Sequence, residues 1–146
     1  MKFLKSYFNE DASLDELKKE FAEYEQHLKE NRSLFNKQTY ISLRDGVIND
    51  YTIEKFSMNA FWSENDKRLA NIEIILEYDD KRLLCIYEAV EYFSLQKDFD
   101  DIFGFDAIVI SECIVQLEGI EHHLYFVGNK PVIIKCQKIK ICNLSS

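Results

Sequence analysis

The chain has 146 residues, 26 of them acidic and 18 basic, for a formal charge of -8. That length suits one domain, and 47% hydrophobic with 14% aromatic residues is too apolar for a disordered chain. The negative balance speaks against general nucleic-acid binding, which needs a cationic surface. No window approaches the roughly 18 uncharged apolar residues of a membrane span, and Met1 to Phe8 carries no continuous apolar core of the kind an export signal needs. A cytoplasmic protein without a membrane anchor is expected.

Residues 1–37 form the helical segment. Ser13 and Glu16 have capping-box spacing, in which each side chain satisfies a free backbone N–H near the other. Leu14, Leu17, Phe21, Tyr24 and Leu28 follow at steps of three and four and line one face, and a stop falls near Asn31 to Ser33. The seam spans about two heptads, too short for a coiled coil, so the helix is expected to pack on a sheet of its own chain.

From residue 38 the period shortens to two, and residues 38–146 read as a β-rich body. Strands are expected at Thr39 to Leu43 and Val47 to Phe56, flanking an Arg44-Asp45-Gly46 turn, with a short one at Met58 to Trp62. In Asn71 to Tyr78, Ile72, Ile74 and Leu76 face one way while Asn71, Glu73 and Glu77 face the other, as in a strand with one wet side. Asp79-Asp80-Lys81 then turns the chain into Leu83 to Phe93. A compact loop at Phe99 to Phe105 is followed by strands at Ala107 to Leu117, Ile120 to Val127 and Pro131 to Cys142, the last two joined by Gly128-Asn129-Lys130. In the final strand Val132, Ile134 and Cys136 share a parity that Ile139 and Ile141 do not, which calls for a bulge near Gln137-Lys138. The expected architecture is one α+β domain over 1–146: an N-terminal amphipathic helix packed on a mainly antiparallel β-sheet, or a barrel-like sandwich, of about seven strands.

Motifs of known chemistry are scarce. Cys85, Cys113, Cys136 and Cys142 lack the tight pairing of a zinc site and read as reduced core residues. His122 and His123 are neighbours on a strand and point to opposite faces, so they cannot chelate one ion together. Asp98, Asp100, Asp101 and Asp106 are the densest acidic cluster, but their order is not that of an EF-hand loop. Four scattered glycines build no phosphate cradle. No cofactor, no metal and no enzymatic activity are expected.

Charge is uneven along the chain. Residues 38–121 hold 18 acidic against 7 basic side chains, whereas residues 122–146 hold 4 basic and none acidic. Negative strands of this kind steer a cationic partner toward themselves. Glu73, Glu77, Asp79, Asp80 and Glu88 are the candidate partner-binding carboxylates, with Tyr40 and Trp62 as aromatic anchors.

Leu43-Arg44-Asp45-Gly46 leading into Ile48 and Ile53, then Phe99-Asp100-Asp101-Ile102-Phe103-Gly104, then His122 and His123 with Phe126, Gly128 and the closing Val132 to Ile141 strand, resemble a pattern of small bacterial β-domain proteins, some of them immunity proteins of toxin–immunity pairs. The resemblance spans residues 40–142 and transfers no catalytic residue. It implies a non-enzymatic inhibitor that binds a protein, such as a cationic toxin domain. The alternative is a β-barrel-like domain that closes around a small molecule.

Overall fold

A computed structural model of the chain describes residues 1–96, 107–126 and 130–144. Helix α1 (Leu14–Glu30) and a 3-10 turn (Arg32–Leu34) lead to helix α2 (Lys37–Asp45). Eight strands follow: β1 (Thr52–Trp62), β2 (Arg68–Tyr78), β3 (Lys81–Val90), β4 (Tyr92–Ser94), β5 (Ile108–Gln116), β6 (Gly119–Phe126), β7 (Val132–Cys136) and β8 (Lys138–Asn143). The loop expected at Phe99 to Phe105, the Asp98 to Asp106 carboxylates and the turn residues Gly128 and Asn129 lie outside the described residues.

The strands form two four-stranded antiparallel sheets. The first, sheet A, has the order β1-β2-β3-β8, and the second, sheet B, the order β4-β7-β6-β5. Their inner faces meet in one filled core. Ile72, Ile74, Leu76, Cys85, Tyr87, Ile139 and Ile141 come from sheet A, and Ile108, Cys113, Leu124, Val132, Ile134 and Cys136 from sheet B. Each fully buried aliphatic side chain is worth about 1.5–3 kcal/mol of transfer free energy. The fold is therefore α+β, with the sheets packed face to face.

Two strands belong to both layers. β3 runs into β4 at Glu91, and β7 runs into β8 at Gln137, so one antiparallel ribbon passes from sheet A to sheet B. Glu91 N–H donates to Lys135 O at 2.9 Å and Gln137 N–H to Glu88 O at 3.0 Å, holding the two corners side by side. The parity change in the last strand is thus a change of sheet. Val132, Ile134 and Cys136 line the inner face of sheet B, and Ile139 and Ile141 that of sheet A.

Four further strand expectations are corrected. Thr39 to Leu43 is helical, which carries the helical part of the chain on to Asp45. Asn36 Oδ1 caps that helix by accepting from Thr39 N–H at 2.8 Å, and Gly46, left-handed at φ 61°, ends it. These caps outweigh the β-branched character of Thr39 and Ile41, and the expected Arg44-Asp45-Gly46 hairpin is a helix C-terminus. Val47 to Phe56 and Met58 to Trp62 are not separate strands, since a single strand starts at Thr52 after Asp50, whose φ is 75°. Leu83 to Phe93 is divided between two strands at the sheet corner.

The helices close the open side of the sandwich, along the free edges of β5 and β8. Tyr24 and Leu28 of α1 and Tyr40 and Leu43 of α2 are buried there. Only part of the predicted stripe is used, because α1 lies along a sheet edge: Leu14 remains 66% exposed.

Candidate functional site

Strand parity assigns each face. On the outer side of sheet A stand Phe61, Leu69, Ile75, Leu84, Ile86 and Cys142, all half-buried, and none is covered by a described element. Around them are Glu54, Glu73, Glu77 and Glu88, and the cations Lys55, Arg82, Lys138 and Lys140. Arg82 forms a two-pronged ion pair with Glu54, both bonds at 2.9 Å, and stands opposite Glu77; Lys138 stands opposite Glu88. Such exposed pairs are worth about 0.2–1 kcal/mol and order the surface more than they stabilise it.

The outer side of sheet B is different. Glu112 of β5 is fully buried and accepts hydrogen bonds from the backbone N–H of Lys2 (2.7 Å), Phe3 (3.2 Å) and Leu4 (3.0 Å). This carboxylate straps the N-terminal segment across the sheet, and Leu4 is buried beneath it. Phe8 reaches Tyr125 with ring centroids 6.3 Å apart. The outer side of sheet B is thus covered over β5, while Ile133, Lys135 and Tyr92 toward β7 and β4 stay partly open, and no described helix lies over the outer side of sheet A.

The expected site residues fall in three places. Glu73, Glu77 and Glu88 share the outer face of sheet A, and Asp79 and Asp80 form the two-residue turn at its end, with Asp79 at φ 57°. The wall is not uniformly negative, because β3 and β8 interleave cations. Its turn end keeps a small excess: Glu54, Glu73, Glu77, Asp79 and Asp80 against Lys55, Lys81, Arg82 and Lys140. Trp62 is exposed at the far end of β1, roughly 35 Å from that turn by strand rise, and its side chain is on the opposite face under the Arg68 guanidinium, 5.1 Å away. Tyr40 is corrected from surface anchor to core residue: it is buried on α2, with Arg32 and Arg44 over its ring at 4.9 and 5.8 Å.

Sequence reasoning missed the state of the sheet edges. The β5 edge is occupied by α1, where Tyr24 Oη accepts from Cys113 N–H at 2.7 Å and His27 Nε2 accepts from Val115 N–H at 2.9 Å. The β8 edge is occupied by α2, where Thr39 Oγ1 accepts from Ile141 N–H at 3.0 Å. β4 is only three residues long. The far edge of β1, eleven residues long, pairs with nothing among the described residues, and from Glu54 to Ala60 the strand is exposed on both faces. Phe56 and Met58 stand opposite the buried Ile74 and Ile72, on the same face, yet remain open to solvent. The signal was present in the sequence: after Lys55 no charge or proline interrupts the strand as far as Trp62.

A polar chain crosses sheet B. Tyr125 Oη lies 3.2 Å from His123 Nδ1, His123 Nε2 lies 3.2 Å from Glu121 Oε2, and Lys135 Nζ lies 3.1 Å from Glu121 Oε1. Hydrogen bonds from Lys135 and His123 hold the Glu121 carboxyl below its usual range against a burial penalty that acts the other way. The cleft beside Glu121 and Lys135, next to these groups, holds about 50 Å³. An open groove of about 510 Å³ lies beside Leu34, Val115, Leu117 and Ile120. Among the described residues no group of three or more His, Cys, Asp or Glu side chains is placed to hold a metal.

No protein-family model matches this sequence, and neither does any curated protein or solved structure. Among the described residues no helix is long and apolar enough to cross a membrane.

Proposed function

We propose that the chain is a non-enzymatic protein-binding module, most concretely an immunity-type inhibitor that neutralises a bacterial toxin by docking the outer face of sheet A against it. One observation carries this reading: on that face half-buried Ile75, Leu84 and Ile86 stand beside a carboxylate-rich end with no described helix over them. Apolar side chains set in a rigid sheet lose little entropy on binding, and carboxylates around them speed the approach of a cationic cleft. The filled core supports the same reading, since a sandwich with a packed interior offers itself through its surface.

The test is co-expression with any toxic domain that a neighbouring gene in the native genome encodes. The chain should restore growth and bind the domain in a salt-sensitive complex. Glu73→Lys with Glu77→Lys should slow association about tenfold or more at low salt and leave the fold intact. A toxic neighbour whose effect the chain does not relieve, or an association rate unmoved by the charge reversal, rejects the reading. The open groove beside Leu34 and Leu117 favours small-molecule binding as a second reading, which saturable ligand protection of the thermal transition would support.

A further inference from the structure

We propose that two copies of this chain pair through the free edge of β1, antiparallel about a twofold axis at Asn59, so that two sheets A become one eight-stranded sheet. The geometry begins with the edge. Natural sheets blunt a long edge with charges, proline, bulges or a covering element. Here α1 covers β5, α2 covers β8 and β4 is short, whereas β1 is guarded only at its start, by Lys55 and by the bulge between Ile53 and Lys55. From Phe56 to Trp62 the strand is regular, uncharged and unpaired on its far side among the described residues.

That stretch is complementary to itself. About Asn59, Phe56 falls opposite Trp62 of the second copy and Met58 opposite Ala60, in both directions, with all four on the face that continues the core side of sheet A. Large meets small at the centre, and an aromatic pair flanks it on either side, the combination that cross-strand neighbours favour. Phe56 is already held in place by stacking on Phe93, with ring centroids 4.9 Å apart and planes 15° apart. Met58 and Trp62 are 52% and 66% exposed in the single chain, Trp62 with only the Arg68 guanidinium over its ring.

Charge selects this occupant and this direction. A parallel pair in register would set Glu54 beside Glu54 and Lys55 beside Lys55. The antiparallel pair carries each of these residues past the end of the ladder, so the Phe56 to Trp62 stretch itself contains no ionised side chain, and Arg68 of β2 lies at its margin over Trp62. The twofold axis stands perpendicular to the sheet, so both outer faces look the same way. Two copies of the Glu73 and Glu77 wall then form one surface.

The test is the mass of the purified full chain by sedimentation equilibrium or light scattering. Two chains per particle are expected, with a concentration-dependent return to one. Met58→Lys puts a charge in the ladder at a position already exposed in the single chain, so it should yield a folded monomer with an unchanged circular dichroism spectrum. Asn59→Cys should form an interchain disulfide on mild oxidation, because residues on the axis face one another at a Cα separation of about 4.5–5.5 Å; the unsubstituted protein, treated alike, should not. A wild-type chain that stays monomeric at its highest soluble concentration overturns the proposal, even if some other protein's strand binds the edge. So does a dimer that survives Met58→Lys and leaves Asn59→Cys unlinked. Neither outcome bears on toxin neutralisation, which is read in a separate assay.

Discussion

At the scale of single residues, the most consequential pair is Tyr87 and His122. Tyr87 points inward from sheet A and His122 from sheet B, and Tyr87 Oη lies 2.8 Å from His122 Nδ1 with neither side chain exposed. His122 Nε2 has no hydrogen-bond partner among the described residues. Burial, with a smaller contribution from His123, pushes the imidazole down to about 3. The unfolded chain, with an ordinary histidine near 6.5, therefore binds a proton that the folded chain refuses. This stability is present above pH 6.5 and drains away as pH falls toward 3. At about 1.4 kcal/mol per pH unit, His122 alone should remove about 2 kcal/mol between pH 6.5 and 5. Tyr87→Phe with His122→Leu removes both polar partners of the bridge together, leaving only the weakly polar Cys85 thiol without the Tyr87 hydroxyl. Urea unfolding at pH 7 and pH 5 should show the double variant losing about 2 kcal/mol less than the wild type, and equal losses would refute a neutral buried histidine. The sequence places His122 and His123 on opposite faces, as the strand period requires. It cannot reveal Tyr87 as the partner, because that contact spans two sheets.

At the scale of elements, side chains that reach strand backbones hold the layers together. Glu112 is the clearest case, a carboxylate accepting three N–H groups and anchoring a segment more than a hundred residues away. Charge-assisted bonds of this kind contribute more than neutral ones, and a buried acceptor that loses partners costs more still. Glu112→Gln should destabilise by about 2–4 kcal/mol in urea or thermal unfolding, because the amide turns a donor toward donors. Hydrogen exchange at Phe3 and Leu4 should accelerate in the same variant, and unchanged protection there would show that the strap is held by other means. Its signature is legible in retrospect as the one acid inside the apolar run Ile110 to Val115. Helix α1 and most strand spans follow from capping and alternation, which are local signals. Helix α2 does not, since its nine residues hold β-branched Thr39 and Ile41, and its caps Asn36 and Gly46 read equally well as turn residues. The candidate face was partly legible too. Alternation in β2 puts Glu73 and Glu77 outward, but which cations join them depends on register with β3 and β8, and Tyr40 went inward with the unforeseen helix.

At the scale of the whole molecule, β3 with β4 and β8 with β7 make one ribbon that serves both sheets. Its pairings join Leu83 to Asn143 and Phe93 to Ile134, contacts across 60 and 41 positions. Removing everything after Lys130 takes one strand from each sheet and exposes the inner faces of both. Such a truncation should abolish the cooperative unfolding transition completely, and a residual transition from an independent β1–β2–β3 sheet would show that the layers fold separately. Contacts this distant also slow folding, because a long loop must close before either layer gains its packing. During synthesis, then, the nascent chain must wait. Until residues 132–143 have cleared the ribosome neither layer can be completed, and apolar strands such as β2 stay exposed to chaperones or to misfolding in the interval.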